Sequence, residues 1–185
     1  HKQPSSADIP PPNPTLFLHT SFSARRAIPG LRVFESLKSL PIFPTLNSPS
    51  QDVTQVISPS EVIATTQIIE CSSSLWMAEL EDGRGFIPLG KGEKVYTHSL
   101  PIERGYWHYE VVNGSIGLRS RPDYDDVYRT SYGFQPGEII AATHRAVGKY
   151  GVVYVRVAEY LGWIFEKKLD KGNWVTCLVP LSVSN

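Results

Sequence analysis

No stretch of this sequence stays apolar for the roughly 20 residues that a membrane-spanning helix needs, and none near the amino end joins a basic start to an apolar middle as a secretory signal does. A soluble chain without a membrane span is therefore expected. An excess of charge of one sign is also lacking, since Lys plus Arg and Asp plus Glu are 18 each, so no global field recruits nucleic acid or an anionic membrane. Cysteine is scarce. Cys71 and Cys177 could form one disulfide, yet two cysteines outside any motif are more often reduced and buried. Catalytic sets are missing as well: "GRG" at 83–85 is too short for a dinucleotide loop, and His19, His98, His108 and His144 share no metal-ligand spacing. Calcium is disfavoured because no loop supplies the ligand count and turn glycine of a binding loop. A noncatalytic protein without cofactor or metal is the expectation.

What the chain does have is punctuation and repetition. Its 15 Pro and 14 Gly interrupt regular structure often enough to argue against long helices. "SPSEVIATT" (58–66) and "QPGEIIAATH" (135–144) set Glu61 opposite Glu138, 77 residues on, and the same shift pairs Gly85 with Gly162, Phe86 with Trp163 and Ile87 with Ile164. Further along, "KGEKV" (91–95) matches "KGNWV" (171–175) after a small change of shift, as an indel in a loop produces. This pattern reads as a tandem duplication. Each unit is a series of short β-branched and aromatic runs, such as "EIIAAT", "VVYVRV" and "GWIFE", separated by turn residues. Alternation predicts that Val153, Val155 and Val157 face inward while Tyr154 and Arg156 face water. Five or so such strands bury their apolar face by curling into a small barrel.

The segment "GSIGLRSRPDYDDVYRTSYGFQPGEIIAAT", followed by "VVYVRVAEYLGWIFEKK", resembles the bacterial-type Src-homology-3 domain. In that family a Gly-hydrophobic-x-hydrophobic-Arg-Ser-x-Pro strand precedes a Gly-Glu strand and a Gly-Trp-hydrophobic strand. Ile116, Leu118, Arg119, Ser120, Pro122, Gly137, Glu138, Gly162, Trp163 and Ile164 match it, and the likeness covers about residues 106–179. The first unit departs from the pattern, with "LPIFPTLNSPS" in place of the Arg-Ser-x-Pro segment and Phe86 in place of Trp. The resulting expectation is an all-β protein of two Src-homology-3-like barrels in tandem, at 31–97 and 105–185, with a linker at 98–104 and an extended Pro-rich arm at 1–30.

Candidate ligand residues concentrate in "RPDYDDVYR" (121–129), where Asp123, Asp125 and Asp126 flank Tyr124 and precede Tyr128. Carboxylates beside aromatic faces could hold a basic or methylated side chain through ion pairing and cation–π attraction, each worth about 0.5–2 kcal/mol; the competing reading is a solvated acidic turn. Tyr160, like Tyr132 and Tyr150, sits in or beside a loop and is a candidate contact. Trp163 has two readings: the resemblance implies a groove-lining aromatic, and its place after Gly162 in a strand implies core. In the arm, Pro10, Pro11 and Pro12 favour extended polyproline-like chain, with Leu16, Phe17 and Phe22 as apolar docking groups. The leading functional expectation is a protein-binding or scaffolding module with a protein or peptide partner, as part of a larger assembly. Two further expectations stand beside it: a secreted module binding cell-wall peptidoglycan, which the resemblance implies, and a reader of basic or methylated peptide tails.

Overall fold

The computed structural model describes residues 24–48, 52–53, 55–123 and 125–182, and over them the chain is all-β. The arm positions Pro10, Pro11, Pro12, Leu16, Phe17 and Phe22, and Tyr124, lie outside the described residues. Among the described residues no helix is long and apolar enough to cross a membrane; the helical elements are short 3-10 turns such as Ser72–Ser74 and Asp126–Tyr128.

The first half supplies strands β1 (Ala24–Ser36), β2 (Leu40–Ile42), β3 (Gln55–Ile57), β4 (Val62–Cys71), β5 (Leu75–Leu80), β6 (Phe86–Lys91), β7 (Lys94–Val95) and β8 (Thr97–Leu100). Six of them form one sheet in the order β7-β6-β5-β4-β1-β8, and the β2–β3 hairpin meets it through a bridge from Phe43 to Phe86. The second half supplies β9 (Ile102–Val111), β10 (Ile116–Arg119), β11 (Arg129–Phe134), β12 (Ile139–Val147), β13 (Val153–Val157), β14 (Trp163–Phe165), β15 (Lys167–Asp170), β16 (Asn173–Thr176) and β17 (Leu178–Pro180). Its seven-stranded sheet runs β11-β10-β14-β13-β12-β9-β17, with β15–β16 as a separate hairpin. The architecture includes a nearly closed, barrel-like sheet.

Three expected boundaries, at 30/31, 97/98 and 104/105, fall inside strands. The expected arm includes residues 24–30, yet they form the first half of β1 and pair with Gln67–Cys71 of β4. The Pro29–Gly30 pair does not stop the strand, because the register shift between Pro29 and Arg32 absorbs it as a bulge. Of the expected linker 98–104, Pro101 alone lies outside a strand: β8 stays on the first sheet by pairing with β1, and β9 opens the second by pairing with β12. A residue without an amide donor is well placed where one ladder ends and the next begins.

Residues 77 apart make the same hydrogen bonds. The Ser58 amide donates to Glu61 Oε2 at 2.6 Å, and the Gln135 amide donates to Glu138 Oε2 at 2.5 Å. Ser60, held at φ 63°, donates its amide to Ser36 O, while Gly137, at φ 87°, donates to Val111 O. Leu80 N bonds Gly85 O at 2.8 Å, and Val157 N bonds Gly162 O at 3.1 Å. The glycines at 85 and 162 are required by close approach: a Cβ on Gly85 would sit 2.2 Å from Phe43 O, and one on Gly162 would sit 2.6 Å from Leu118 Cγ. Each glycine thus lets the next strand start against the strand that precedes the acidic or Pro-rich loop.

Period-2 alternation gives the first sheet two buried faces. Phe34 and Ile63 pack with Leu40, Ile57 and Ile87 in the first half's own core. Their neighbours Val33, Val62 and Ala64 point the other way, into a cluster with Tyr109, Leu118, Val155 and Ile164 of the second half. Burying side chains of this kind stabilises by roughly 1.5–3 kcal/mol apiece, so the two halves share apolar packing as well as chain. A similar covering corrects the alternation expected in β13. Val155 and Val157 are buried as expected, but Tyr154 is buried too, under the turn at Gly148, and Arg156 is held against the first half.

Candidate functional site

The acidic loop between β10 and β11 is turned onto its own chain. Asp126 Oδ1 accepts from Arg119 Nη2 at 2.6 Å, and that guanidinium is 4% exposed, so the carboxylate neutralises a buried cation. Asp125 caps the short helical turn by accepting from the Val127 amide at 3.1 Å, and Asp123 accepts from the Asp125 amide at 2.9 Å. A cleft of about 370 Å³ opens beside them, where Arg119, Arg129 and Lys168 face Asp125, Asp126 and Asp170. Equal numbers of opposite charges leave no strong local preference for either sign of ligand.

Tyr128 belongs to the contact between the two halves. Its hydroxyl donates to Glu61 Oε1 at 2.6 Å, and its ring lies 3.9 Å from the Arg121 guanidinium carbon. Burial, followed by the bond to Glu61, pushes the phenol up to about 12. Arg121 Nη1 reaches the same Glu61 oxygen at 2.5 Å, and its Nη2 lies 3.7 Å from Asp82 Oδ2. Nearby, Glu81 accepts from Arg156 Nε at 2.5 Å and from the Trp163 indole N–H at 2.8 Å. Trp163 is therefore a fully buried core residue with its one polar atom satisfied across the contact, in keeping with the strand reading of the residue and not with a groove-lining one. Sequence reasoning missed the carboxylates of this lattice, Glu61, Glu81 and Asp82, because their partners across the contact lie far along the chain, 60 or more residues away for Glu61 and Glu81 and in the other half for Asp82.

Tyr160 lies elsewhere, on a groove of about 230 Å³ formed by the end of β11, the start of β12 and the β13–β14 turn. Its ring is 5.5 Å from that of Tyr132 and 5.9 Å from that of Phe134. Tyr132 is 61% exposed and Tyr160 39%. Glu138 and Glu159, both exposed, line the same groove along with Ile139. Tyr132 was legible as a loop-side aromatic; Phe134, Glu138 and Glu159 were not legible as its neighbours, since only the curl of the sheet brings them together. Such a surface suits a cation flanked by aromatic faces and carboxylates, or an apolar side chain with a basic neighbour.

The two cysteines sit apart in separate core clusters, unpaired and buried, and burial pushes both thiols up. Among the described residues no group of three His, Cys, Asp or Glu is placed to hold a metal ion.

No family model matches the chain. No curated protein matches it in sequence. Among solved structures, a "putative autolysin" from Listeria monocytogenes aligns over 82% of this chain and 70% of its own, at 9% identity and a TM-score of 0.29.

Proposed function

We propose that the chain is a noncatalytic protein-binding module made of two Src-homology-3-like barrels that divide at Pro101 and act as one body, with the groove of Tyr132, Phe134 and Tyr160 as its binding surface. The observation that carries this reading is the aromatic cluster itself. The rings of Tyr132 and Phe134 both lie against that of Tyr160, the two tyrosines are substantially exposed, and two exposed carboxylates, Glu138 and Glu159, line the same groove. Aromatic side chains at the centre of a patch with polar groups at its rim are the composition of a protein interface. The duplicated turn bonds and the duplicated glycines support the division into two like barrels, and the polar lattice around Glu61 and Glu81 supports their acting together. Because its ionisable groups are acidic, the groove also suits a basic peptide better than an uncharged glycan. A barrel architecture by itself selects no function, so the assignment rests on this surface.

The test is a tethered peptide array spanning acidic, neutral and basic compositions, probed with the intact protein and with a Tyr132→Ser/Tyr160→Ser variant. Retention of a subset of peptides by the parent and its loss in the variant, at unchanged melting temperature, supports the reading. Equal retention by both proteins, or no retention by either, overturns it.

A further inference from the structure

The contact inside the molecule is directional, which leaves one copy of its surface uncovered. The first half offers the turn carboxylate Glu61, the β5–β6 tip residues Glu81 and Asp82, and the apolar Val62. The second half answers with Arg121, Tyr128, Arg156 and Trp163. Shifted by 77 residues, the offering surface becomes Glu138, Ala158, Glu159 and Ile139 of the second half. Those positions line the groove described above or stand at its edge. Val62 is 3% exposed under the second half, whereas its counterpart Ile139 is 64% exposed. Glu61 uses Oε2 for its turn and Oε1 for Arg121 and Tyr128; Glu138 uses Oε2 for the same turn, and its Oε1 has no hydrogen-bond or ion-pair partner among the described residues.

A second copy of this chain does not supply the answering surface. Arg121 and Arg156 are already engaged, and the positions 77 residues before Arg121, Arg156 and Trp163 hold Pro44, Glu79 and Phe86, without a cation. The acidic groove therefore calls for arginine from another protein. Tyr160, which stands where the first half has Gly83, adds a ring on which a guanidinium can lie as Arg121 lies on Tyr128.

We propose that the face of Glu138, Ile139, Glu159 and Tyr160 docks an arginine-bearing segment of a partner protein, in the way the first half already holds Arg121 of its own chain. This rests on the groove being the binding surface. The experiment records backbone amide shifts of the labelled intact protein during titration with short peptides that carry two arginines beside a tyrosine, and with the same peptides carrying citrulline. The expected result is perturbation confined to about residues 135–141 and 158–161, with binding weakened about tenfold by citrulline and by Glu138→Gln or Glu159→Gln. Equal binding of arginine and citrulline peptides at the groove overturns the inference and leaves the groove as a binding surface. Absence of any shift there overturns both. A concentration-dependent dimer that buries the groove also overturns the inference, in favour of a second copy.

Discussion

Glu61 and Glu138 hold identical turns 77 residues apart, yet Glu61 alone reaches across to an arginine and a tyrosine of the other half. The difference is positional, since the first turn faces the second half and the second turn faces outward. Substitution should expose it. Glu61→Ala removes a partner of the nearly buried Arg121 guanidinium and should lower stability by about 3 kcal/mol. Glu138→Ala loses a turn bond only and should cost about 1 kcal/mol. Urea denaturation of the two variants checks the contrast.

Alkaline pH should loosen the same contact. With the Tyr128 phenol pushed from its ordinary 10 to about 12, the folded state favours the protonated form. That contribution is complete below pH 10 and is lost as pH rises through about 12. Tyr109 is raised as well, by burial first, and adds to the loss in the same direction. Tyr128→Phe should show a smaller fall in stability over this window than the parent, measured by denaturant midpoints at stepped pH, with phenolate absorbance reporting the titration.

The acidic loop should divide into unequal members. Asp126→Asn removes the charge opposite buried Arg119 and should destabilise measurably, whereas Asp123→Asn keeps an oxygen able to accept the Asp125 amide and should change stability by less than about 0.5 kcal/mol. Melting temperatures of the single variants test this order. Equal effects would mean that the Arg119 pair does not hold the loop.

Both thiols should resist modification in the native protein. Cys71 and Cys177 are buried and their thiols pushed up, so little thiolate is present or accessible at neutral pH. A chromogenic disulfide reagent should react with neither until denaturant is added, and then with both.

Local chemistry was the legible part of this fold. The Glu61 and Glu138 turns could be read because the bonded amide lies three residues away in each half, and the glycines at 85 and 162 because each stands five residues after the strand residue whose amide it accepts. The ends of β1 and the handover at Pro101 could not be read, since Pro29–Gly30 looks like a stop until a partner strand accommodates it as a bulge. Long-range polar pairing was also hidden. Nothing local assigns Glu81 to Trp163, and the cluster at Asp123, Asp125 and Asp126 looks available for a ligand until Arg119 and the loop amides are seen to use it. Tyr160 was legible as a loop aromatic, but the groove around it exists only once β11, β12 and the β13–β14 turn meet.

The most direct measurement is site-specific photocrosslinking of the intact protein in an extract of its native cells, with a benzophenone amino acid placed at position 160 and, as a control, at the exposed position 150. The expected result is a discrete crosslinked protein from position 160 alone, joined at a residue close to an arginine, and its loss when Glu138 and Glu159 are changed to Gln. Crosslinks from position 150 as frequent as those from 160, or a product at 160 that is indifferent to both glutamates, would contradict it.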